Sequence, residues 1–94
     1  MNNMYPKSRA ALAETPNADW CIAITPAIVN GVRTDGYGIA LAIDGCIYDD
    51  DGAVMCEAYH RVQQIKASCG PHPAAVVAAR AAAKTLGLNK IIGE

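Results

Sequence analysis

Four cysteines, two histidines and nine acidic side chains are the residues of this 94-residue chain best suited to chemistry. Cys21, Cys46, Cys56 and Cys69 stand too far apart in sequence for the C-x-x-C pairs that hold structural zinc, and too sparsely for the disulfide framework of a small secreted domain. They read as reduced, mostly buried thiols, with a Cys46–Cys56 cross-strand bridge as the alternative. Cys56 and His60 have the same parity on one strand, so they share a face on which a metal or a Cys–His nucleophile could form, but no carboxylate stands at a definite position to orient the imidazole. Asp49-Asp50-Asp51-Gly52 lacks the alternating acids and the later glutamate of a calcium loop and reads as a solvated turn. Gly36-Tyr37-Gly38-Ile39-Ala40-Leu41 opens a strand instead of a helix, and no lysine follows at phosphate-loop spacing. No metal and no cofactor is expected.

Arg33, Arg61, Lys66, Arg80, Lys84 and Lys90 would have to line one side to hold nucleic acid, yet eight basic residues face nine acidic ones and the net charge is -1. Nucleic acid is therefore the disfavoured partner. No stretch has the apolar length of a signal peptide or a membrane span, which predicts no membrane association and a cytoplasmic protein. A chain this short makes one domain. Although 52% of its residues are hydrophobic, 18 residues are alanine and none is phenylalanine, so close packing must replace bulk.

The elements that position these residues follow from periodicity. Pro6 to Glu14 predicts a short helix, or else a loose arm, within residues 1–19. From Trp20 the period is two: Trp20, Ile22 and Ile24 alternate with Cys21, Ala23 and Thr25, giving a half-buried first strand. Pro26 to Gly36 reads as a loop, with Asn30-Gly31 and Asp35-Gly36 favouring positive φ. In the second strand Tyr37, Ile39, Leu41, Ile43 and Ile47 form a large face, whereas Gly38, Ala40, Ala42 and Asp44 form a small one, with Gly45 a bulge candidate. A third strand runs from Ala53 to about Ile65. Pro73 in a first turn starts a helix over Ala74 to Leu86, Gly87 stops it, and residues 88–94 hold a final short strand. The fold class is α+β, with β-β-β-α-β over residues 20–94 as a single domain.

Ala75, Ala78, Ala79, Ala82 and Leu86 form the buried stripe of the helix, and the stripe is expected to lie on the small face of the second strand. Val76 and Val77 flank the wet edge marked by Arg80 and Lys84. These four residues are the predicted docking surface for a protein partner or for a homodimer.

Ile22-Ala23-Ile24-Thr25-Pro26, the interval after it, and Gly36-Tyr37-Gly38-Ile39-Ala40-Leu41 resemble the first two strands of ribonuclease H and of RuvC-type Holliday-junction resolvases. The run Ala81-Ala82-Ala83-Lys84-Thr85-Leu86-Gly87-Leu88, followed by Asn89-Lys90-Ile91-Ile92, is similar to the helix and fourth strand of ribonuclease H. The resemblance covers about residues 20–94 and implies the first half of a ribonuclease H-like fold. Active members of that superfamily place several carboxylates around two Mg²⁺ ions. Here Thr25 and Pro26 stand where the first-strand aspartate would lie, and Pro71 or His72 where the helix-start glutamate would; Glu94 alone matches an acid position. The resemblance further implies that the part of the fold which would cover the first helix and sheet is missing from these residues, leaving the Val76 and Val77 edge open.

Together these readings predict a non-enzymatic protein-interaction module, an accessory or inhibitor protein of phage or antitoxin type. The alternative is a nucleic-acid-binding or vestigial Mg²⁺-dependent nuclease domain whose residual acidic site would draw on Asp35, Asp44 and Glu94.

Overall fold

Strict alternation of side chains over Trp20 to Val29 and from Val32 onward gives the two central strands of a four-stranded mixed sheet. The computed structural model describes residues 4–48 and 54–94, and the side chains of residues 46–48 and 54–60 lie outside that description. In chain order the elements are α1 (Pro6–Glu14), β1 (Trp20–Val29), β2 (Val32–Tyr48), β3 (Val54–Gly70), α2 (His72–Leu86) and β4 (Ile91–Ile92). The sheet order is β3-β2-β1-β4; β1, β2 and β3 are antiparallel neighbours, and β4 returns parallel to β1. The α+β architecture, the β-β-β-α-β order and the N-terminal helix agree with the sequence reading.

Four local expectations are overturned. The stretch from Pro26 to Gly36 is a β-hairpin and not a loop, because Asn30 (φ 53°) and Gly31 (φ 78°) supply the two positive φ angles that a tight two-residue turn requires. Pro26 stays on the strand opposite Tyr37, and the register shifts between Pro26 and Ile28, an irregularity of the kind that accommodates a missing N–H. β3 continues past Ile65 to Gly70. Gly45 is regularly paired with Ala58, and the irregularities of the β2–β3 ladder fall near Tyr37, Ile39, Leu41 and Ile47 instead.

The fourth correction concerns the layers. α2 lies on the large face of the sheet: Ile22, Ile24, Ile39 and Leu41 are buried against Ala75, Ala79, Ala82 and Ala83, with Trp20, Ile65, Cys69 and Leu86 around them. Burying a large aliphatic side chain is worth roughly 1.5–3 kcal/mol, so covering four of them outweighs covering a row of glycine and alanine. The alanine stripe still brings the helix axis close, but it does so onto bulk. On the opposite face Cys21, Ala23 and Ala42 form a second, smaller cluster beside Ile92. What approaches this face at Gly38 is β3 itself: a Cβ there would lie 2.5 Å from the Ala67 carbonyl oxygen and 2.6 Å from that of Lys66.

α2 begins two residues earlier than Ala74, with Pro73 in its first turn. It ends as predicted at Gly87 (φ 74°), whose N–H reaches the Ala83 and Lys84 carbonyls while the Leu88 N–H bonds the Ala83 oxygen at 2.8 Å. α1 packs Ala11 and Leu12 onto the core, and its buried Ser8 donates to the Gln63 side-chain oxygen on β3 at 2.7 Å. The turn at residues 49–52 lies outside the described residues.

Candidate functional site

The predicted docking residues separate into two groups. Val77, Arg80 and Lys84 point outward from α2, and Val77 is 70% exposed. Val76 is half-buried and packs against the core. Its place there follows from helical geometry, since Val76 and Ala83 are seven residues apart and share nearly one azimuth. The open edge is thus one valine wide, and Val76 is its foundation instead of its surface.

Glu94, expected to be a residual acid, and Arg80, expected to be a docking residue, turn out to be partners. Arg80 Nε donates to Glu94 Oε2 at 3.0 Å. The hydrogen bond holds the Glu94 carboxyl below the usual carboxylate range and pushes the guanidinium further up. The residue before it is tied down as well: His72 Nε2 donates to the Gly93 carbonyl at 2.7 Å, and the His72 ring meets Tyr37 edge-on at 5.2 Å. Gly93 takes a positive φ of 89°, and a Cβ on it would lie 3.1 Å from the Ile24 carbonyl oxygen. The segment after β4 therefore runs beside the first two turns of α2, clamped at both ends of that path.

Asp44 lies at the other end of β1. Its backbone N–H bonds the Asp19 carbonyl at 2.9 Å, and its half-buried carboxylate accepts a hydrogen bond from Lys90 Nζ, which also reaches Asp19 at 3.5 Å. That hydrogen bond raises the Lys90 ammonium above the usual lysine range. A shallow cleft of about 300 Å³ opens beside this pair, between Pro16, Trp20, Leu88 and Lys90. Burial first, and the nearby Asp44 charge second, push the Cys21 thiol up to about 11, so it stays a protonated core group without nucleophilic character at neutral pH. Asp35 is exposed on β2, away from both pairs. Asp35, Asp44 and Glu94 are thus not brought together, and among the described residues no three His, Cys, Asp or Glu side chains converge on a point where a metal ion could sit.

The remaining candidates resolve in the same way. Cys46 stands opposite Glu57 and Cys56 opposite Ile47, so the two cysteines are not direct cross-strand partners. The Cys56 and His60 side chains lie outside the described residues. The basic residues spread over several elements: Arg33 beside the hairpin turn, Arg61 and Lys66 on β3, Arg80 and Lys84 on α2, and Lys90 before β4. Two of them are already paired with carboxylates.

Sequence reasoning missed one surface. Ile28, Val29 and Val32, the last 65% exposed, make an apolar tip on the β1–β2 hairpin. Asn30-Gly31 flanked by apolar residues was the signal for it; Pro26 obscured that signal. No helix among the described residues is long and apolar enough to cross a membrane. No protein-family model, no curated protein and no solved structure matches the chain.

Proposed function

We propose that this chain is a non-enzymatic protein-interaction module, an accessory or inhibitory factor that docks a protein partner on the outward face of α2. One observation carries the reading: Val77 stands 70% exposed on a helix whose other outward positions are Pro73 and Ala81, with only Arg80 and Lys84 charged. A solvated helix face is ordinarily rich in charged residues, and an apolar strip bordered by cations is the composition of a docking surface. If the ribonuclease H-like resemblance holds, Thr25 and Pro26, and Pro71 or His72, stand where such enzymes carry acids; that, with the use of Asp44 and Glu94 in ion pairs, supports binding over hydrolysis.

A photocrosslinking amino acid at position 77, compared with one at the exposed Gln64 on β3, tests the reading in cells that express the chain. Covalent adducts with a protein from position 77 and none from position 64 are expected. No protein adduct from position 77 would overturn the proposal.

A further inference from the structure

We propose that β3 is an association edge whose occupant is β3 of a second copy of this chain, paired antiparallel about a two-fold axis at Tyr59, so that two four-stranded sheets join into one. β3 is 17 residues long and stands at the margin of the sheet, and among the described residues no strand pairs with its outer side. The N–H and C=O groups along such a side are a ready template for another strand. Irregularities ordinarily blunt an edge of this kind, and β3 has them, but they leave one stretch untouched. From Cys56 to Arg61 the ladder with β2 runs through six consecutive pairs without a shift, whereas the register breaks beyond Cys56 and beyond Arg61. This is the part of the edge regular enough to take a strand.

The residues of that stretch point to the occupant. Glu57 and Arg61 lie two positions to either side of Tyr59. In an antiparallel pair centred on Tyr59, Glu57 of each copy stands opposite Arg61 of the other, and Tyr59 stands opposite Tyr59. A two-fold interface must be complementary to itself, and this segment is: two opposite-charge pairs flank an aromatic pair, each a favourable cross-strand combination. Only this register sets Glu57 against Arg61, and it keeps the pairing within the unbroken stretch. Arg61 is exposed and makes no ion pair among the described residues.

The helices leave room for the second copy. Glu57, Tyr59 and Arg61 stand opposite Cys46, Asp44 and Ala42 of β2, which places them on the small face, the side of the sheet away from α2. The axis is perpendicular to the sheet, so both helix layers fall on the other side. There α1 is tied to β3 at Gln63. Gln63 lies about 13 Å along the strand from Tyr59, at about 3.3 Å per residue, and the axis carries the second α1 the same distance in the opposite direction. The break after Arg61 also leaves Gln64 outside the paired segment.

The test is absolute mass by light scattering behind a sizing column, across a tenfold range of concentration. The unmodified chain is expected to move from monomer toward dimer as concentration rises. Glu57→Arg and Arg61→Glu each set like charges opposite one another twice, and each is expected to raise the dimer dissociation constant about tenfold or more. Mixed one to one, the two variants restore both opposite-charge pairs, so a heterodimer should form at a concentration where neither variant dimerises alone; circular dichroism checks that both are folded. A monomer at every concentration would overturn the proposal. A dimer indifferent to both reversals would overturn it as well, because it would place self-association on another surface. Position 77 reports on α2 separately, so failure here leaves the α2 reading standing.

Discussion

The two faces of the β1–β2 sheet are built on opposite principles. Under α2 the sheet offers Ile22, Ile24, Ile39 and Leu41, and stability comes from the bulk these side chains remove from water. On the other face Cys21, Ala23, Ala40 and Ala42 have no exposed surface although none is large, and stability comes from how closely neighbouring backbone and rim side chains approach. One face should tolerate a swap of aliphatic shape and fail on loss of volume. The other should tolerate loss of volume and fail on its gain.

The largest effect is expected on the bulky face. Leu41→Ala should lower the unfolding free energy by about 3 kcal/mol in urea titration, since the alanines facing it from α2 cannot move in to fill the space. A loss below about 1 kcal/mol would mean that α2 is free to settle and that the bulky face is not close-packed. The small face should answer next. Gly38→Ala puts a methyl group 2.5 Å from the Ala67 carbonyl oxygen, and since that obstacle is backbone the β3 irregularity must shift. About 2 kcal/mol is the expected loss, measured in the same titration. Ala42→Val is gentler, because its neighbours include the half-buried Ile92, and about 1 kcal/mol is expected. If Ala42→Val instead stabilised the protein, the small face would be underfilled, and the contrast between the faces would collapse.

Much of this arrangement is legible in the residues. The alternation from Trp20 to Thr25 and from Tyr37 onward fixes which side chains share a face, Gly87 marks the end of α2, and the order of elements follows from turn chemistry. Which face the helix covers is not contained in periodicity, because an alanine stripe is compatible with either face; the area to be buried decides it, and that comparison requires both strands at once. Pro26 illustrates a second limit. Proline argues against a strand in isolation, but a neighbouring irregularity absorbs it, and only the register shows one. The site was legible in its parts and not in its pairing. Arg80 and Glu94 are fourteen residues apart and meet because β4 returns parallel to β1 beneath α2, a tertiary fact. Val76 likewise could be placed only once Ala83, which the stripe read from the sequence leaves out, is seen to be buried.

The smallest effect, and the one most particular to the small face, concerns Cys21. Its thiol has no exposed surface, and burial raises it to about 11, with the Asp44 charge adding to the shift and Lys90 opposing it. A folded-state value above the ordinary one means that protonated Cys21 stabilises the fold fully below about pH 9, the ordinary thiol value, and that this contribution is lost as the pH rises from there toward 11. Stability measured by urea titration should therefore be flat around neutrality, with respect to this group, and decline above pH 9; Cys21→Ala should remove that part of the decline. Alkylation at pH 8 gives a second reading. Peptide mapping after iodoacetamide should find Cys21 modified far more slowly in the folded chain than in urea, since both access and the thiolate fraction are suppressed. Equal rates would show that the small face opens readily, and that closeness without bulk does not hold it shut.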